Sequence, residues 1–255
     1  MKAHALICPV CDGESSLLDV VDFHKSCEER RGIYFDLSGI PIYYAICHNC
    51  GFCFAPEMAA WSLEQFETKV YNQQYVHVDP DYIEIRPREK ATELLSMFPG
   101  VNSFIKHLDY GGGNGLLSQL LKAADWNSIS YDPFVDKNKN INSLDKFDLI
   151  TAYEVFEHVP DVDRLMSNLN TLLKPNGLVL FSTLLSDGNI HSKQRLEWWY
   201  ASPRNGHISL FSKKSLDLLS EKYGWQLASF SDSLHLFYRV LPPWATPHIT
   251  LNYNL

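Results

Sequence analysis

All six cysteines of this 255-residue chain lie between Cys8 and Cys53. Cys8-Pro9-Val10-Cys11 and Cys47-His48-Asn49-Cys50 are two CxxC pairs, with residues 12–46 between them. Each pair can fold as a tight knuckle that turns two thiolates toward one ion, and two knuckles complete the soft ligand set of a closed tetrahedral zinc site. Gly13 and Gly51 follow the pairs, where a chain turning round a metal needs permissive backbone. The spacing is longer than in the commonest zinc fingers, so a zinc ribbon with an inserted loop is expected. Four thiolates leave no position for water, which makes the role of zinc structural. Cys27 and Cys53 are spare, and either could replace a ligand.

A second chemistry-bearing run is Leu108-Asp109-Tyr110-Gly111-Gly112-Gly113-Asn114-Gly115. Its glycines let backbone approach a ligand closely and turn sharply into a helix. Asp132 follows Tyr131 at the spacing where an acid accepts hydrogen bonds from ribose hydroxyls, so the pair of features points to an adenosine cofactor. A dinucleotide fingerprint needs a small residue where Leu116 stands, and no GK[ST] follows the glycines. Asp109 would repel a pyrophosphate and suits a ligand carrying an ammonium group. S-adenosylmethionine meets these demands, having adenosine, no phosphate, a sulfonium and an amino-acid tail.

The acceptor side is expected on the stretch from Ser186 to Ser209, because loops of about 20 residues without regular structure usually serve as lids or binding loops. It carries Trp198, Trp199 and Tyr200, whose rings suit the apolar faces of sugars or bases, together with Arg204 for a phosphate or carboxylate and Asn205. The same tryptophans could instead pack the loop onto the core. His207 in this loop and His158 are alternative general bases for deprotonating an acceptor, with Glu154 and Glu157 placed to orient them.

These residues need a scaffold. Apolar positions Ala91, Leu94, Leu95 and Phe98 predict a helix over 88–98, ending before Pro99. Strands are predicted over 104–110, 128–131, 147–153 and 178–185, with helices after the glycine loop, over 161–174 and over 213–223. Pro175-Asn176-Gly177 is read as the stop of the second of these helices. Strands over 226–230 and 234–241 form a closing hairpin. The expected fold is α/β: a Rossmann-like, doubly wound, mostly parallel sheet with one antiparallel strand near its edge, after a small N-terminal zinc module. The expected division is 1–75 for the module and linker and 76–255 for the catalytic domain.

Asp109-Tyr-Gly-Gly-Gly-Asn-Gly115, Asp132 and Phe147-Asp148-Leu-Ile-Thr-Ala-Tyr-Glu154-Val-Phe-Glu157-His158-Val together resemble the class I S-adenosylmethionine-dependent methyltransferases over about residues 85–241. The resemblance implies that Asp109, Tyr110, Gly111, Gly112, Gly113 and Asn114 meet the methionine portion, Asp132 the ribose, and Tyr153 and Glu154 the cofactor's neighbourhood. Pro133 and Phe134 would wall the adenine, although Phe134 suits plain core equally. The CxxC pairs with Tyr131-Asp132-Pro133-Phe134 and Pro203-Arg204-Asn205-Gly206-His207 are further similar to bacterial zinc-ribbon methyltransferases of sugar and polysaccharide biosynthesis. This implies a small or carrier-linked acceptor such as a nucleotide sugar. A protein or RNA methyltransferase using the zinc module for recognition, or a non-catalytic interaction subunit on the same fold, remains open.

Charge narrows the partners. Lys and Arg number 22 against 30 Asp and Glu, a net charge of −8, and no segment concentrates basic residues. Nucleic acid and anionic membrane surfaces are therefore not expected partners. The run from Leu178 to Leu185 falls far short of the about 20 apolar residues of a membrane helix. The N-terminus reaches Cys8 before a secretory apolar segment develops, which predicts a cytoplasmic protein.

Overall fold

The computed structural model describes residues 6–101 and 103–249. Met1–Ala5, which bear on the leader reading, lie outside the described residues. Two compact units are present. One comprises Met1–Pro80, Phe156–Leu165 and Thr183–Lys222, the other Asp81–Val155, Met166–Ser182 and Tyr223–Leu255. The N-terminal cysteines therefore share a unit with two stretches from far along the chain, rather than with residues 1–75 alone.

The first unit is built on a five-stranded antiparallel sheet in the order β1-β2-β3-β4-β9: β1 (Leu6–Ile7), β2 (Glu14–Asp22), β3 (Pro41–Cys47), β4 (Cys53–Phe54) and β9 (Ser209–Leu210). The first half of β3 alternates, with Ile42 and Tyr44 buried and Tyr43 exposed, and its second half from Tyr44 to Cys47 is buried on both faces. A register shift between Leu17 and Asp19 bulges β2 and buries Asp19, where it accepts Arg195 Nη1 and Leu196 N, both at 2.8 Å. Short helices α1 (Pro56–Ala59), α2 (Leu63–Lys69) and α3 (Tyr75–Val78) follow the sheet. The rings of Phe52, Phe156 and Phe211 meet in the core, with Phe211 centred 4.9 Å from Phe52 and 5.8 Å from Phe156. Each such burial is worth about 1.5–3 kcal/mol.

The second unit holds a six-stranded sheet in the order β10-β11-β8-β7-β5-β6. Its strands are β5 (Lys106–Tyr110), β6 (Asn127–Tyr131), β7 (Phe147–Ala152), β8 (Leu173–Ser182), β10 (Gln226–Ser229) and β11 (Leu234–Tyr238). The first four pair in parallel, and β11 runs antiparallel to both neighbours, as the predicted hairpin requires. Strand order reverses at β5, which has β6 on one side and β7 on the other, so its carboxyl end is where ligands bind in such sheets. Helices are α4 (Ile85–Met97), α5 (Leu116–Ala123), α6 (Val162–Leu172), whose residues through Leu165 belong to the first unit, and α7 (Lys213–Lys222), which lies within the first unit. Helix α4 starts earlier than predicted because Pro87 is tolerated in a first turn.

The largest departure is at Pro175-Asn176-Gly177. Helix α6 ends at Leu172, and the tripeptide belongs to β8, bulged where its register against β7 shifts between Phe147 and Leu149. A Cβ on Gly177 would stand 2.7 Å from Leu173 Cδ1, so the bulge requires glycine there. No helix among the described residues is long and apolar enough to cross a membrane.

Candidate active site

Strand β5 delivers Asp109 to the reversal point of the sheet. Its carboxyl is 3% exposed, and burial pushes it up to about 7 against the opposing hydrogen bond from Thr151 Oγ1 at 3.2 Å, with the charge of Asp132 adding to the rise. The glycines beyond it are required by contact. A Cβ on Gly111, at φ +74°, would lie 2.5 Å from Val155 Cγ2, and one on Gly112 would lie 2.3 Å from both Asp109 Oδ2 and Ser130 Oγ. Gly112 thus keeps open a cradle over Asp109 that any side chain would fill. Ser130 Oγ and the Tyr153 hydroxyl are buried and make no hydrogen bond among the described residues. The orphaned Ser130 hydroxyl beside an acid and bare backbone fits a polar ligand.

Asp132 is tied to the same loop. Its Oδ2 accepts Gly113 N at 3.0 Å, and its Oδ1 accepts Phe134 N at 2.8 Å and Val135 N at 3.2 Å. A carboxylate has about four acceptor positions, so one remains for a ribose hydroxyl, and a second needs Gly113 N to let go. Replacing Asp132 with alanine should weaken S-adenosylhomocysteine binding by about 1.5–3 kcal/mol, the range for a hydrogen bond to a charged group. Equal affinity of both proteins by calorimetry would remove Asp132 from the site.

The remaining expected cofactor residues fall in different roles. Tyr110 OH accepts Asn168 Nδ2 at 3.1 Å, and Asn114 bonds Ile83 O and Leu116 N, capping the turn into α5. Pro133 and Phe134 are half-buried. Glu154 adopts φ +53°, a strained region for a residue with a side chain, and is held there by Ser182 Oγ, which is 2.8 Å from both its N and its Oε1. The sequence reading overlooked Ser182, whose signal was a hydroxyl ending an apolar strand.

In the first unit, the four thiols of Cys8, Cys11, Cys47 and Cys50 lie within 4.8 Å of one another, with Cys8 3.6 Å from Cys50 and Cys11 3.5 Å from Cys47. Zn–S bonds of about 2.3 Å put the sulfurs of a tetrahedral site about 3.8 Å apart, so the donor set fits zinc. The hydrogen bond with Cys50 holds the Cys8 thiol down at about 5 and pushes that of Cys50 up. Cys27 and Cys53 stand outside the cluster; Cys53 is buried in β4, and Cys27 Sγ lies 2.9 Å from Ser202 Oγ.

The two candidate bases come together in this unit. His158 and His207 meet edge to face with centroids 4.7 Å apart, and with Glu157 each presents an atom within 4.8 Å of the others. His207 Nδ1 lies 2.8 Å from Tyr200 O, an acceptor only, so Nδ1 carries the proton and Nε2 the lone pair. Tyr200 OH donates to Glu157 Oε1 at 2.6 Å.

The expected lid divides in two: residues 187–195 are mostly exposed and carry no helix or strand, whereas Tyr200 to Ser212 are all buried. Arg204 is 6% exposed and donates to Val70 O at 2.9 Å and Asn72 Oδ1 at 3.4 Å, while Asn205 Oδ1 accepts Cys27 N at 2.9 Å. Arg204 also lines a cavity of about 410 Å³ with Phe23, Phe35, Lys69 and His77, a size within the small-molecule range. Trp198 and Trp199 are half-buried, Trp199 under the Arg30 guanidinium at 4.7 Å.

Residues 82–229 match the model of a methyltransferase-domain family. The chain is 31% identical over 100 residues to the ubiquinone biosynthesis O-methyltransferase of Colwellia psychrerythraea (30% of this chain, 41% of that protein) and 40% identical over 60 residues to that of Histophilus somni (24% and 25%). It thus spans less than half the length of these curated relatives. Among solved structures it aligns with an O-methyltransferase family protein from Burkholderia thailandensis (12% identity, TM-score 0.49, 69% of this chain and 63% of that one). It also aligns with the 1,6-didemethyltoxoflavin-N1-methyltransferase of that organism, which holds 1,6-didemethyltoxoflavin and S-adenosylhomocysteine (15%, TM-score 0.47, 74% and 95%). With more than half of its length matched, the chain belongs to the methyltransferase-domain family, and the matched residues include all of the second unit's parallel strands together with Phe156–Leu165 and Thr183–Lys222 of the first unit.

Proposed function

We propose that this protein is an enzyme that methylates a hydroxyl of a small molecule, using S-adenosylmethionine, and that its N-terminal unit is held by a structural zinc. The observation that carries the reading is the cradle at the end of β5, where bare Gly112 backbone, buried Asp109 and the orphaned hydroxyl of Ser130 converge. S-adenosylmethionine supplies a methyl group on a cationic sulfur. Ionised Asp109 pairs with the ammonium of its amino-acid tail, Gly111–Gly113 line that tail, and Asp132 accepts a ribose hydroxyl. Pro133 and Phe134 flank the adenine. Within the first unit, His207 Nε2 is the nitrogen this reading assigns as base for an acceptor hydroxyl, with His158 and Glu157 beside it.

Hydroxyl transfer is favoured because both ubiquinone-biosynthesis relatives are named O-methyltransferases. A nucleotide sugar or other carrier-linked glycan precursor is also a hydroxyl acceptor, so phenolic compounds and nucleotide sugars form the two arms of the test. Transfer of isotope-labelled methyl to either arm, followed by mass spectrometry, is the expected result, and the arm that reacts assigns the acceptor class. Binding of the cofactor with no transfer to either arm would overturn the small-molecule reading in favour of a macromolecular acceptor or an interaction subunit.

Glycine 112 gives a simpler check of the cradle. Gly112→Ala forces a methyl group against Asp109 and Ser130, and should reduce S-adenosylhomocysteine affinity by at least about tenfold, or about 1.4 kcal/mol. Unchanged calorimetric affinity would move the cofactor elsewhere.

A further inference from the structure

Behind Asp109 lies a row of buried polar side chains that no cofactor contact explains. His107 stands two residues earlier on β5 and is fully buried. Its Nε2 is 2.9 Å from Thr151 Oγ1, the hydroxyl that donates to Asp109 Oδ1. Its Nδ1 is 2.8 Å from Ser128 Oγ, which donates to Ser118 Oγ on α5 at 2.9 Å. Hydroxyls and a neutral imidazole each donate one hydrogen bond and accept another, so such a row can point its donors either way, but only all together.

We propose that Ser128, His107 and Thr151 form a reversible hydrogen-bond relay, ending on the acceptor Ser118, whose direction follows the ionisation of Asp109 and thereby tunes how tightly Asp109 holds a cationic group. This rests on the reading that Asp109 binds the cofactor's ammonium. With Asp109 ionised, the donors point toward it: Ser128 turns its hydroxyl from Ser118 to His107 Nδ1, His107 Nε2–H donates to Thr151, and Thr151 donates to the carboxylate. With Asp109 protonated, its own O–H donates to Thr151, Thr151 donates to Nε2, and the ring proton resides on Nδ1, directed at Ser128. Asp109 gains one proton in the change. His107 gains none, exchanging one tautomer for the other.

Burial supports a neutral ring throughout, holding the His107 imidazole down at about 3. The groups facing the relay are Thr151 on β7, Ser128 on β6, Ser118 on α5 and the edge of Trp126, 5.8 Å from the His107 ring. Those acting on Asp109 are Thr151 and Asp132, and the Asp109 charge in turn acts on the Tyr153 phenol. Since the Asp109 carboxyl sits near 7, its charged form grows as pH rises through neutrality, and affinity for an ammonium group rises with it.

The test is a pH titration of the cofactor-free full-length protein with labelled histidine and aspartate. His107 should carry its proton on Nε2 at high pH and on Nδ1 at low pH, with a midpoint matching that of the Asp109 carboxyl carbon. A single His107 tautomer from about two units below to about two units above the Asp109 midpoint would overturn the relay. Thr151→Val removes the hydroxyl and keeps the shape. It should raise the Asp109 midpoint by about one unit and weaken S-adenosylhomocysteine about tenfold at neutral pH, with recovery at higher pH and rescue by Thr151→Ser. Superimposable pH profiles of Thr151→Val and the parent protein would also overturn it. Asp109→Asn separates the two failures. Unchanged cofactor affinity in that variant defeats the cofactor reading itself, whereas lost affinity without a tautomer change defeats only the relay.

Discussion

Cys47→Ser is expected to yield a protein whose first unit is unfolded while its second unit still binds S-adenosylhomocysteine. Structural zinc contributes about 10–16 kcal/mol in small zinc-folded peptides, against a total stability of about 5–15 kcal/mol for an ordinary domain. The two knuckles share one design. Cys8 N donates to Gly13 O and Cys47 N to Phe52 O, both at 2.9 Å, so each thiol pair is set by a closed turn. A Cβ on Gly13 would stand 3.2 Å from the sulfurs of both Cys11 and Cys47, so the turns also close on each other. Strands β3 and β4 flank the second knuckle, and losing one ligand should release both. The freshly purified protein should contain about one zinc per chain, and the variant none. Rapid amide exchange in β2, β3 and β4 of the variant is the structural readout. A native protein free of zinc, with six freely titrating thiols, would end the zinc reading and leave four packed cysteines.

The second unit was far more legible in the sequence than the first, for a physical reason. Strands β5 to β8 alternate with helices close in sequence, and each carries enough apolar residues to show its period. The acid and the glycines at the end of β5 were legible too, because backbone contact demands particular residues there. In the first unit, β4 pairs with β9 through two residues on each side, Cys53 with Leu210 and Phe54 with Ser209. Strands so short have no period to read, and their partner lies far along the chain. The stretch 186–209 therefore looked like a lid, when much of it is core. Arg204 shows the same limit, since its guanidinium is occupied by Val70 and Asn72, partners that no local pattern announces. His158 and His207 were weighed as alternatives because sequence spacing hides that their rings touch. The hydrogen-bonded row behind Asp109 had a visible signal in His107, Ser128 and Thr151, polar residues inside strands otherwise read as apolar.

His207→Ala is expected to lower turnover by about two to four orders of magnitude, the contribution of a positioned general base, and to leave cofactor affinity nearly unchanged. The geometry that motivates this is the bond from Nδ1 to Tyr200 O, which fixes the proton on that nitrogen and leaves Nε2 as the base. Tyr44 OH donates to His207 O at 2.7 Å, so the backbone behind the ring is held as well. Because His207 is 4% exposed, alanine leaves a cavity, and His207→Gln serves as the fuller replacement that lacks a basic nitrogen. Both variants should lose kcat with KM little changed. His158→Ala is the internal comparison, since His158 is half-buried and its ring packs on His207. Loss of its support should lower the rate less than loss of the base itself. Tyr200→Phe probes the other side by deleting the 2.6 Å hydrogen bond to Glu157 while keeping the carbonyl that orients His207. It should shift the pH profile of turnover without abolishing it. Near-normal turnover in His207→Ala and His207→Gln, with a large loss in His158→Ala, would transfer the proton to His158. Near-normal turnover in all three would mean that the acceptor reaches the enzyme already nucleophilic.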